Sequence, residues 1–228
     1  MSILSVLLQT DTTQALEAVE SAPEKLSLIY LLFEGGVLMI PLLLCSILMV
    51  YVFFERLMVI RRAGKIDPHF MSRIREHVTD GNLTAAKNLA KTTQGPMARM
   101  IDKGLSRIGK PVDHIEKSME NTGKLQVYEL EKNLSILSTL AGIAPMFGFL
   151  GTIAGMILLF FNIQHQGFSI ENMAGGIYTK MVTSAVGLII GLLSYVAYNY
   201  LNAQINKNVN KMEAASVEFL DILHEPTR

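Results

Sequence analysis

Residues 134–170 read LSILSTLAGIAPMFGFLGTIAGMILLFFNIQHQGFSI and contain no Asp, Glu, Lys or Arg. The apolar centre of this tract runs from about Leu137 to Ile163. About 20 helical residues, rising 1.5 Å each, cross a hydrocarbon layer about 30 Å thick, so the tract is long enough to span a bilayer. A core helix of a soluble domain would be shorter and would show a polar face. Backbone amides cannot stay unpaired in lipid, and this tract is too long and uniform for a barrel strand; it is therefore expected to be a helix. Two more tracts share its character. Gly35–Phe54 (GGVLMIPLLLCSILMVYVFF) lies between Glu34 and the pair Glu55-Arg56, and Met181–Asn206 is also free of charge. The fold class expected is an all-α membrane protein with three transmembrane helices.

Composition agrees. Of the 228 residues 50% are apolar and 18% charged, and mean hydropathy is +0.34; a soluble domain carries about 25% charged residues. Twenty basic and twenty acidic residues cancel, which leaves no electrostatic footprint for nucleic acid. Cys45 is the single cysteine, so an intrachain disulfide and a Cys-rich zinc site are excluded. There is no P-loop, zinc constellation or Ser/His/Asp set at informative spacing. No catalytic residue, cofactor or metal ligand is assigned, and an enzyme is not expected.

Basic residues set the expected orientation. Residues 1–34 hold only Lys25, whereas Arg56–Lys132 holds fifteen of the twenty Lys and Arg. The N-terminus is then periplasmic and the C-terminus cytoplasmic, in a bacterial inner membrane. Ser2–Leu8 is apolar but has no preceding base and is short for a signal peptide, so 1–27 reads as a periplasmic amphipathic segment. The remaining divisions are a first span over 28–55, a cytoplasmic helical domain over 56–133, a second span over 134–163, a periplasmic loop over 164–178, a third span over 179–201 and a cytoplasmic helix over 202–228.

Within 56–133, Asp67-Pro68 predicts a helix start. Asp80-Gly81-Asn82, Gly95-Pro96 and Gly109-Lys110-Pro111 predict breaks. Helices are expected over Thr84–Lys91 and Met97–Arg107. From Val112 the pattern stays helical up to Pro145, so the second span extends into the cytoplasm. The third extends likewise, with apolar positions Ile205, Val209, Met212, Val217, Leu220 and Leu223.

Two stripes of mostly small residues recur at helical spacing. One is Ser138, Ala141, Pro145, Gly148, Thr152 and Gly155; the other is Lys180, Ser184, Gly187, Gly191, Ser194 and Tyr198. Each keeps to one helix face. Such stripes let backbones approach closely; hydroxyls at Thr152 and Ser184 also suit a shared lumen or an inserted partner helix.

In these residues the chain resembles the MotA/TolQ/ExbB proton channel family. The carriers are Leu140–Met156 (LAGIAPMFGFLGTIAGM), which is similar to the family's second span, and Gly176-Ile177, Ser184-Ala185-Val186-Gly187-Leu188 and Tyr198-Asn199 on the third. Length and the short outer loop favour the TolQ/ExbB branch. The resemblance implies a homopentamer around two copies of an ExbD- or TolR-like single-span partner, admits a TonB- or TolA-like protein as a further partner, and implies ion-driven work delivered toward the periplasm or outer membrane. It implies lumen-facing roles for Thr152 and Ser184, with Thr183 as substitute, beside Pro145, Gly148, Gly187 and Gly191. Proteobacterial members often carry a glutamate at the start of the third span; here Thr179 and Lys180 stand at the outer mouth, so a glutamate relay does not transfer.

Apart from Lys180 at its margin, no span centre holds a carboxylate, lysine, arginine or histidine. An ion-driven machine needs a titrating group inside the membrane, and the resemblance places it on the partner. Lys180 reads either as a lysine reaching back to the headgroups or as a ring of charge at the outer mouth. A non-conducting scaffold and a gliding- or flagellar-type stator are the alternative functions. Neither the ion, proton or sodium, nor the cargo system is encoded in these features.

Overall fold

The computed structural model describes residues 37–167 and 170–224. The segment expected over 1–27, the outer boundary of the first span with Glu34, and residues 225–228 lie outside the described residues. Among the described residues the chain is all-helical: α1 Met39–Ala63, α2 Phe70–Thr79, α3 Leu83–Thr92, α4 Pro96–Leu105, α5 Val112–Glu131, α6 Leu134–Gln166 and α7 Ile170–His224. Among the described residues three units are long and apolar enough to cross a bilayer: α1, α5 running into α6, and α7. This is a multi-pass membrane architecture.

The long helix α7 organises the molecule. Its 55 residues reach about 80 Å at 1.5 Å per residue, well beyond a hydrocarbon core of about 30 Å. Its apolar half packs along α6, with α1 against both. Its far end packs on α2, α4 and α5. A buried stripe of Leu201, Ile205, Asn208, Met212, Ala215, Phe219 and Ile222 alternates steps of four and three, the spacing that keeps one helix face on its neighbours. Ile205 and Met212 are buried as expected, but Val217 is 61% exposed because it lies off this stripe.

The charged end has its own core of Phe70, Ile74, Ala86, Ala98, Ile101, Met119 and Phe219. A second cluster joins the three membrane helices through Val52, Ile60, Leu137, Leu140, Leu201 and Ile205. Toward the other end Leu42, Ala144 and Ile190 form a third. Outward-facing Ile47, Tyr51, Ile157, Phe160, Leu188 and Leu192 are exposed. An apolar girdle of this kind is stable against lipid or protein and not against water.

Several expected boundaries change, among them the helix expected over Met97–Arg107, which runs over Pro96–Leu105. α2 begins after His69, not at Asp67-Pro68; Asp67 accepts from the His69 amide at 3.0 Å and pairs with Arg73 at 2.6 Å, so its carboxylate closes the turn before the helix. The helix expected to run unbroken from Val112 is interrupted at Lys132-Asn133, where Asn133 takes a left-handed φ of 63°, a conformation that Asn tolerates better than most residues. The connection expected as a loop over 164–178 is mostly helical, since α6 continues to Gln166 and α7 starts at Ile170. Leu83 starts α3, and the Asn82 side chain accepts from the Ala85 amide at 3.1 Å, a side-chain cap at the expected break. Gly81, Gly95 and Gly109 all adopt positive φ, which explains why those breaks are legible.

Candidate functional site: the seam between α6 and α7

The two small-residue stripes face each other. A Cβ built on Gly148 would lie 3.1 Å from Ser184 Cα and 3.2 Å from Thr183 O. One on Gly187 would lie 2.7 Å from Ala144 O. One on Gly191 would lie 2.5 Å from the Pro145 ring Cγ and 3.0 Å from Ala141 O. The helices therefore touch through backbone over about two turns, which small residues permit in membranes. Gly148, Gly187 and Gly191, singled out from the sequence as lumen candidates, are placed inside this seam.

Pro145 adds a local reason. It has no N–H to give to the carbonyl of Ala141, four residues earlier. Gly191 lies against both the ring and that carbonyl, so the irregular turn of α6 is matched by the smallest residue on α7.

The hydroxyls divide by position. Thr183 is 0% exposed, and its Cγ2 fills the space a Cβ on Gly151 would need, at 2.9 Å; it is sealed within the subunit. Ser184 is half-buried and lines a cavity of about 750 Å³ with Pro145, Phe149, Ile153 and Leu188. Thr152 is half-buried, and its hydroxyl donates to Phe149 O at 2.6 Å. A hydroxyl that donates to its own helix keeps lone pairs for a second partner. Ser184, on α7 against Gly148, and Thr152, one turn after Gly148 on α6, are thus the half-buried hydroxyls at this level; Ser184 lines the cavity and Thr152 does not.

Toward the connection between α6 and α7, the Lys180 stem lies across Gly155, and Leu159 covers Gly176. Thr179 is a residue of α7 whose side chain lies outside the described residues. Gly155, a member of the stripe read from the sequence, and Gly151, which that stripe lacks, both belong to the seam. Their signal was present as the 148, 151, 155 spacing, yet only the contact with Thr183 and Lys180 gives Gly151 and Gly155 their roles. Ser194, fully buried, has an Oγ without a hydrogen-bond partner among the described residues.

At the opposite end of the spans, Arg56 is 6% exposed. Its guanidinium donates to both Glu55 carboxylate oxygens, at 2.6 and 3.1 Å, and to Glu129 O at 3.3 Å. The two-pronged pair fixes the guanidinium within α1, and its third bond, to Glu129 O, ties α1 to the last turn of α5. No group of His, Cys, Asp or Glu able to hold a metal ion is present among the described residues.

Relatives share parts of this sequence. An ExbB homolog of Methanothermobacter thermautotrophicus is 23% identical over 70% of this chain and 57% of its own length. The biopolymer transport protein ExbB of Aquifex aeolicus is 33% identical over 38% of this chain and 59% of its own. The Tol-Pal system protein TolQ of Haemophilus influenzae is 27% identical over 43% and 44%. The chain thus spans about half the length of these relatives. The model of the MotA/TolQ/ExbB proton channel family matches residues 92–214, more than half of the chain and all of the α6–α7 seam, and the protein belongs to that family.

Proposed function

We propose that this chain is the ring-forming subunit of an ion-driven membrane motor of the ExbB/TolQ kind, coupled to biopolymer transport or to a Tol-Pal-like system. In this reading several copies, five by family resemblance, surround the single membrane helices of two ExbD- or TolR-like partners, and a TonB- or TolA-like protein receives the work. The N-terminus is periplasmic and the charged helical body cytoplasmic. The names and sequences of the relatives support the class, and the asymmetry of Lys and Arg supports the orientation.

One observation carries the mechanism: the membrane helices hold half-buried hydroxyls at Thr152 and Ser184, the latter on the cavity, and no carboxylate in either span centre. A hydroxyl has too high a pKa to bind and release protons at working pH, but it both donates and accepts. It can accept from a protonated carboxylic acid and, after rotating, donate to the same group when ionised. The titrating acid then belongs to the partner helix, and this chain lowers the energy of both its states without holding the proton. An unpaired carboxylate in lipid is costly, so the hydroxyls favour the position at which the partner's acid ionises.

The test uses proteoliposomes and a pH-sensitive dye. The chain alone is expected to leave proton flux at background. Co-reconstitution with a single-span protein bearing a mid-membrane Asp is expected to raise it, and Thr152→Val with Ser184→Ala, assembled normally, to remove most of the gain. Full flux from the chain alone, or an unchanged gain in the double variant, would defeat this reading.

A further inference from the structure

We propose that a cavity where the spans meet the charged helices binds the headgroup of a phospholipid, its phosphate held by Arg62, Lys91 and Arg99 and its terminal amine or hydroxyl by Asp102. The cavity measures about 700 Å³ and is walled by the end of α1, the end of α3, the Gly95-Pro96 turn, α4 and α5. This site is independent of the motor reading and depends only on the chain crossing a bilayer.

Location comes first. Arg56 and Glu129 line the cavity, and they stand where two apolar helices leave the membrane: Phe54 is the last residue of the uncharged tract in α1, and Leu134 opens α6. The cavity therefore sits at headgroup depth. Met58 and Val59, one turn before Arg62, are exposed, giving acyl chains an apolar path along α1.

Charge comes second. Four cations line the cavity against two carboxylates, Asp102 and Glu129. Arg56 is committed to Glu55. Arg99 reaches Gln126 at 3.2 Å and Glu129 at 3.3 Å, but it is 63% exposed and so keeps donors free. Arg62 and Lys91 make no ion pair among the described residues. Three cations with spare donors around one cavity match a phosphate ester, which Arg grips through paired N–H groups.

The third observation narrows the headgroup. Asp102 Oδ1 is buried and has no hydrogen-bond partner among the described residues, although Asp102 lines this cavity. Burying a carboxylate oxygen without a donor is costly. A bare phosphate would repel it. Ethanolamine and glycerol headgroups bring an N–H or O–H donor beyond the phosphate, whereas choline brings none.

Delipidated full-length protein is titrated with phosphatidylethanolamine, phosphatidylglycerol and phosphatidylcholine, and retained lipid is counted by native mass spectrometry. Ethanolamine and glycerol lipids are expected to be retained about tenfold better than choline lipid, a gap that corresponds to one donor–acceptor pair. Arg62→Gln with Lys91→Gln, two exposed positions that leave the fold intact, is expected to reduce retention of all three. Asp102→Asn is expected to shrink the preference over choline lipid while binding persists. Glycerol 3-phosphate and inorganic phosphate form the free-ligand arm. Equal retention by the Arg62/Lys91 variant, no discrimination against choline lipid, inorganic phosphate binding without any lipid retained, or a change in subunit count in place of lipid count would each overturn the proposal.

Discussion

Gly187 meets Gly148 backbone to backbone: a Cβ on Gly187 would stand 2.9 Å from Gly148 Cα and 2.7 Å from Ala144 O. Lipid tails are as apolar as leucine, so association of α6 and α7 rests on close packing. A methyl group here meets backbone, which cannot rotate away. Gly187→Ala is expected to destabilise the protein by about 1–3 kcal/mol, read as unfolding in detergent with increasing SDS. Gly142→Ala is the control. Nothing lies within 4 Å of its added Cβ, and alanine favours a helix over glycine by about 0.5–1 kcal/mol, so that variant is expected to be neutral or slightly more stable.

Pro145 and Gly191 are expected to be energetically coupled. The ring occupies the space that a side chain on Gly191 would use. Gly191→Ala alone therefore forces the helices apart at the proline. With Pro145→Ala in place the ring is gone, and the freed Ala141 carbonyl regains an amide donor. The double variant is expected to be more stable than the sum of the single effects allows, by about 1 kcal/mol, the usual scale for contacting residues. A double-mutant cycle on the same unfolding assay measures it, and strict additivity would show that the ring contact does not limit the seam.

The fold was legible where the chemistry is local. Uncharged runs gave the spans, and Gly81, Gly95 and Gly109 marked turns because their backbone angles are ones glycine adopts freely. Asn133 was not legible: Lys132-Asn133 has no glycine or proline to mark a break, and the left-handed φ of 63° falls on a residue type that also sits within helices. The seam was half legible. Spacing put Gly148, Gly187 and Gly191 on helix faces, but spacing cannot say what a face meets, so close helix contact and a lumen were equal readings. The split between Thr183 and Ser184 is likewise invisible in sequence, since adjacent residues differ by 100° around a helix and only the placement of Gly151 decides which is sealed. Arg56, Arg62, Lys91, Arg99 and Asp102 come from three helices, and their convergence is purely tertiary.

Asn208 is expected to anchor the end of α1. Its Nδ2 donates to Ile60 O at 3.3 Å, and Ile60 O also accepts the Gly64 amide at 3.1 Å. Its Oδ1 lies 2.7 Å from where a Cβ on Gly64 would stand. Asn208 is also the one polar member of the buried α7 stripe. Asn208→Ala is expected to cost about 1–3 kcal/mol through the lost bond and the unfilled space. The local effect is more diagnostic: hydrogen exchange at the Gly64 and Lys65 amides is expected to accelerate more than exchange in the middle of α1. Uniform acceleration along α1 would assign Asn208 a purely global role.

Lys180 separates packing from charge. Its aliphatic stem lies across Gly155, so Lys180→Met keeps most of that contact, and stability is expected to stay within about 0.5 kcal/mol of the parent, as for substitutions that break no buried interaction. The charge is a different matter under the proposed motor. A cation at the outer mouth repels incoming protons, and that repulsion weakens as salt shortens the screening length from about 10 Å at 0.1 M toward about 3 Å at 1 M. Proton flux with the single-span partner is therefore expected to rise in the order parent, Lys180→Met, Lys180→Glu, with the differences shrinking at high salt. Removing a charge that merely reaches back to the headgroups would leave all three rates equal at every ionic strength. The ranked series thus decides whether the positive end of Lys180 faces the ion path or the lipid, a choice the neutral stem on Gly155 leaves open.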